Sequence, residues 1–221
     1  MASMTQGLLD QLQGQPMNLI GQRLGLSSTQ AASAVSAALP LLLGALGRNA
    51  RRPDGARNLF GALERDHMGQ DPQSVLGSAV EGGQKGDRIL RHVFGAQEPV
   101  AAQGLATASG VAPDHAQVLL RWLAPVAMAY VAKQLFERRQ RASEAAPASA
   151  PNAPSEQVLK DRLEREQQQI ERSGGVGSRL LNAVLDRNRD GRVDFSDLLV
   201  GRVRPRPDTP QPSPWIPRAG Q

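Results

Sequence analysis

An all-α fold is predicted by three observations on the 221-residue chain. Hydrophobic residues reach 40% of the composition but aromatics only 3%, so the core must be built from Leu, Ala and Val. The β-branched and aromatic runs that favour strands are nearly absent. Apolar residues instead fall on helical stripes between Gly and Pro punctuation. The chain reads as a duplicated multihelical domain over 1–141 and an Ala/Pro/Ser linker, ASEAAPASAPNAPS, at 142–155. A short helix-loop-helix appendage at 156–202 and a basic, proline-rich tail at 203–221 complete it. Linker and tail cannot bury enough apolar surface to fold.

The elements follow in order. LLDQLQG (8–14) is a first short helical segment. In LGLSSTQAASAVSAALPLLLGAL (24–46), Ser27 followed by Gln30 forms a capping box, which sets Ser28 at the first helical position. PDGARNLFGALERDH (53–67) places Ala56, Leu59, Phe60 and Leu63 on one stripe, an amphipathic helix. PQSVLGSAV (72–80) gives a shorter one, and ILRHVFG (89–95) resembles the opening LLDQLQG. SGVAPDHAQVLLRWLAPVAMAYV (109–131) lies over 24–46 without a gap at an offset of 85, pairing Gly25 with Gly110, Ser28 with Pro113 and Pro40 with Pro125. Pro is favoured at a first helical position, where its missing N–H is no loss. Pro40 and Pro125 are each expected to kink a long helix and free a carbonyl one turn earlier. SEQVLKDRLEREQQQIER (155–172) begins with a Ser cap and carries Val158, Leu159, Leu163 and Ile170 on a thin stripe. It reads as a solvated connecting helix supported by Glu156–Lys160 and Asp161–Arg165 pairs, with a coiled-coil or partner-binding segment as the other reading.

The runs QGLLDQL, IGQRLGLSSTQAASAVSAALPLLLGAL, GARNLFGALE and GDRILRHVFG resemble the YidB-like bacterial family of unknown function, over about residues 5–135. The resemblance implies an all-α fold and no assigned activity. SGGVGSRLLNAVLDRNRDG also resembles a C-terminal segment of many relatives, a glycine-rich stretch before L-D-x-[DN]-x-D-G.

That segment opens the one chemical motif. In DRNRDGRVDFSD (186–197), Asp186, Asn188 and Asp190 take positions 1, 3 and 5 of a twelve-residue calcium loop, and Gly191 takes position 6. Arg192 contributes its backbone carbonyl, Asp194 acts directly or through a water, and Asp197 closes the loop. Calcium takes six to eight oxygens, and alternating residues of a tight loop can turn theirs inward. Asp197 stands where a longer Glu normally chelates with both oxygens; the shorter side chain binds with one oxygen or needs the loop drawn inward, as in the dockerin-type loops this stretch also resembles. Arg187, Arg189 and Arg192 add positive charge. The expected calcium affinity is therefore weak, on the order of 10⁻⁵ to 10⁻³ M. A metal-free, Asx-rich turn is the competing reading.

Composition narrows the rest. Without cysteine there are no disulfides, thiolate nucleophiles or Cys-bound zinc. The N-terminus has no basic, apolar leader pattern, and a cytoplasmic location is expected. Ala31–Leu46 and Val118–Val131 read as buried helix, not membrane spans, because of Ser33, Ser36 and Pro40 in one and Arg121 and Pro125 in the other. His67 and His115 read as surface groups and His92 as half-buried; no catalytic motif occurs, so an enzyme is not expected. IGQRLGLSSTQAASAV (20–35) has helix-turn-helix grammar, but no Lys or Arg lies between Leu24 and Gly47, which disfavours nucleic acid. The sequence reading is a non-enzymatic binding or assembly protein with a protein partner or self-association, its alternative being a helix-turn-helix nucleic-acid binder.

Overall fold

The computed structural model describes residues 3–82, 84–143, 155–174 and 179–180. They are helical, with no strand among them: α1 (Met4–Leu12), α2 (Gln15–Leu24), α3 (Ser28–Ala50), α4 (Pro53–Asp66), α5 (Pro72–Val80), α6 (Lys85–Val93), a 3-10 turn (Gly95–Gln97), α7 (Glu98–Ser109), α8 (Pro113–Ser143) and α9 (Glu156–Ser173).

Two long helices carry the core. α3 is buried almost continuously from Ala37 to Gly47 and is touched by α1, α2, α4, α6, α7, α8 and α9. In α8, the run from Leu123 to Ala132 is buried, and α5, α6 and α7 pack on it. By length and composition α3 could cross a membrane, but 78% of its most apolar window is buried inside the fold. Leu and Ala dominate this interior, in line with the composition.

Local signals act where the sequence puts them. The capping box forms: Gln30 N donates to Ser27 Oγ at 3.2 Å, and Ser27 N donates to Gln30 Oε1 at 3.1 Å. Asp71 caps α5 by accepting from Gln73 N and Ser74 N, and pairs with Lys133 of α8 at 3.4 Å. The stripe of α4 is turned inward, with Ala56 and Leu63 buried and Phe60 set 5.8 Å from Phe136 of α8, centroid to centroid.

The two matched segments share backbone detail. Gly25 (φ 64°) ends α2 and Gly110 (φ 71°) ends α7, each in the left-handed region where a Cβ is disfavoured. α3 and α8 then begin at Ser28 and Pro113 and continue through Pro40 and Pro125.

Three expectations are corrected. α9 is not a solvated connector: Leu159, Leu163 and Ile170 are buried against α3 and α4. Its charged pairs also differ, since Glu156 meets Arg57 at 3.6 Å and Asp161 accepts from Gln157 Nε2 at 2.8 Å. The histidines trade places: His67 is buried at the end of α4, while His92 is exposed. His92 sits on the outer side of α6, a fact its apolar neighbours in RILRHVF conceal.

Burial lowers the His67 imidazole below its ordinary pKa of 6.5, with Asp66 pulling the other way and Lys85 adding to the fall. The unfolded chain then binds the extra proton first as pH drops below about 6.5, so folding stability declines through that window and levels off once the folded form also protonates. Urea midpoints measured between about pH 7.5 and 5.5 should fall more for the parent than for His67→Gln. Packing gives a second test. A methyl on Gly86 would collide with the carbonyl oxygen of Arg121, at the point where Asp87 pairs with Arg121. Gly86→Ala should cost about 1–3 kcal/mol in urea unfolding. Gly61→Ala, with nothing within 4 Å of the added carbon, should gain about 0.5–1 kcal/mol.

Candidate functional site

The predicted calcium ligands Asp186, Asn188, Asp190, Arg192, Asp194 and Asp197 lie outside the described residues. Among the described residues no group of three or more His, Cys, Asp or Glu could hold a metal ion. Leu180, six residues before Asp186, is 7% exposed and belongs to the main apolar cluster.

The helix-turn-helix grammar of 20–35 resolves into a corner between α2 and α3. Leu24 is buried there, and Ser27, Ser28, Thr29 and Gln30 are exposed. The basic cluster Arg48–Arg52 lies at the opposite end of α3, roughly 33 Å away at 1.5 Å per residue. The Arg48–Arg52 cluster therefore stands apart from these polar tips, and the basic residue beside them is the exposed Arg23 at the end of α2.

The most specialised chemistry is where α9 meets α1 and α3. The first N–H groups of any helix lack partners within it. In α1 three of them are met: Gln6 N donates to Ser3 Oγ at 3.0 Å, Met4 N to Glu166 Oε2 at 2.8 Å and Thr5 N to Glu166 Oε1 at 2.8 Å. The Thr5 hydroxyl donates to the same Oε1 at 2.6 Å. A carboxylate is the natural occupant here, because the aligned peptide dipoles leave a helix N-terminus partly positive. Glu166 is only 4% exposed, so this anchor is buried. Nearby, burial reinforced by the Glu166 carboxylate pushes the Tyr130 phenol pKa up, and the Tyr130 hydroxyl packs against Gly7, where a Cβ would collide with it.

Gly47 lets α9 approach closely. A Cβ there would sit 3.1 Å from the carbonyl of Leu163 and 3.3 Å from Gln167 Oε1. Arg162 Nη1 donates to the Gln134 carbonyl of α8 at 3.2 Å, tying the other flank. Beside Glu166 runs a cleft of about 400 Å³, lined by Ser3 and Thr5 of α1, Ser33 and Ser36 of α3, and Glu166 and Gln169 of α9. It is rich in hydroxyls and holds one acidic side chain.

Sequence reasoning missed this site. A signal was present: Leu159, Leu163, Glu166 and Ile170 are spaced 4, 3 and 4 apart, the spacing of a packed helix seam. Glu166 occupies the third seam position, where a charge normally argues for a solvated face. Glu166→Gln replaces one acceptor oxygen with a donor that faces a backbone N–H. It should cost about 1.5–3 kcal/mol and speed hydrogen exchange at Met4 and Thr5, measured by mass spectrometry.

Residues 6–134 match the family model described as "Bacterial protein of unknown function (DUF937)". No curated protein and no solved structure matches the chain. The match begins in α1 and ends within α8, so α9 lies beyond it. It agrees in extent with the span that resembles the YidB-like family, and it covers more than half of the sequence. The helical core from α1 to α8 thus makes this chain a member of that bacterial family of unknown function, DUF937.

Proposed function

We propose that this chain works by binding or assembly in the cytoplasm, without catalysis, as a helical scaffold carrying one weak calcium site. The ion's ligands are the side chains of Asp186, Asn188, Asp190, Asp194 and Asp197 and the carbonyl of Arg192. The supporting observation is the burial of Leu180 in the main apolar cluster, a few residues before the first ligand. Leu180 is held in the core, so drawing the ligands around an ion six residues later would bear on how that anchor sits. Calcium occupancy then changes how the C-terminal segments sit on the scaffold, and through that its choice of partner or its self-association.

The test uses the full chain, because a fragment starting at α9 would leave Leu159, Leu163 and Ile170 without the surface that covers them. Isothermal titration with calcium should give saturable heat with a dissociation constant on the order of 10⁻⁵ to 10⁻³ M. Asp186→Ala should abolish that heat. Equal heats from the two proteins would dismiss the calcium site.

A further inference from the structure

We propose that the groove on α1, α3 and α4 now filled by α9 is a docking site for an amphipathic helix of a partner protein, and that α9 holds it closed from within the chain. The apolar walls of the groove lie inside residues 6–134, whereas α9 and the Met4 and Thr5 donors that hold Glu166 lie outside that span. Groove and plug are thus separate parts: the matched span supplies the apolar surface, and α9 follows it in the chain as the occupant.

The chemistry of the occupant is readable from α9. It needs apolar residues at the first, second and fourth seam positions, as at Leu159, Leu163 and Ile170. It needs a carboxylate at the third, as at Glu166, because Met4 N, Thr5 N and the Thr5 hydroxyl all donate there. It must also approach Gly47 closely. The partner class is therefore a helix of the pattern apolar-x3-apolar-x2-acid-x3-apolar.

α9 is an imperfect occupant, which makes it exchangeable. Gln167 is fully buried, and its Oε1 finds no donor among the described residues. An unpaired buried acceptor weakens docking, and a helix with a small apolar residue at that place escapes the penalty. What favours α9 is its tether, since a short linker keeps it at a high effective concentration. The proposal rests on the reading of this chain as a binding protein and names the class of its partner.

The probe is a fluorescein-labelled peptide of residues 155–174, followed by anisotropy with the full-length protein. Leu163→Asp releases α9 from the groove and should bind the peptide at least about tenfold more tightly than the parent chain. Adding Gly47→Leu fills the groove and should reverse that gain, and a peptide with Glu166→Ala should bind Leu163→Asp about tenfold more weakly. Since Leu163→Asp can disturb folding, a parent chain with a protease site in the linker serves as the second form. Cutting it should admit the labelled peptide on dilution, and the uncut chain should exclude it. Equal binding by all variants, or exclusion of the peptide from both opened forms, overturns the proposal. Dimers formed through the groove without peptide overturn it too, because the occupant would then be a second copy. Peptide binding that persists in EDTA supports the groove even where calcium heats are absent, so the two readings fail separately.

Discussion

Close approach of helices is the constraint on which this structure depends. A core made from Ala and Leu offers little area per residue, so it becomes stable only when backbones come near enough for short side chains to touch. α3 meets the condition along its length, with Ala31, Ala34, Ala37, Ala38 and Ala45 buried between larger leucines. The same constraint decides where α9 lies. Gly47 leaves room for the backbone at Leu163, and a larger residue would hold the two helices apart. Docking of the C-terminal helix is thus an extension of the packing that makes the domain.

Packing alone does not fix the position of α9 along the groove, because an apolar stripe can slide by a turn. Glu166 removes that freedom. Its carboxylate can meet two backbone N–H groups and a hydroxyl only when it stands over the start of α1. A buried charge is costly unless fully paired, so misplaced registers carry a penalty that the native one avoids. α1 gains as well, since nine residues form a marginal helix without help at the ends.

Much of the fold was legible because its signals are local. Ser27 and Gln30 are neighbours in a single turn, and the start of α3 follows from them. The stripe in 53–67 and the proline at 113 act over similarly short distances. The all-α class followed from composition, which needs no knowledge of contacts. The calcium-loop residues are equally legible as a pattern, and they lie outside the described residues. The histidines and α9 were not legible, because burial depends on what another part of the chain brings to that side. RILRHVF looks apolar, yet its imidazole faces out; ERDHMG looks polar, yet His67 is covered. Glu166 was hidden for the same reason, since its partners are more than 160 positions away.

Tyr130 has a practical consequence. It is the only tyrosine in the sequence, and it stands where α1, α8 and the Glu166 carboxylate converge. Its phenol is therefore a built-in optical gauge of that junction. Departure of α9 would bring water and remove a negative charge at the one tyrosine, so tyrosinate absorbance, which the two tryptophans do not produce, would appear at lower pH without any label.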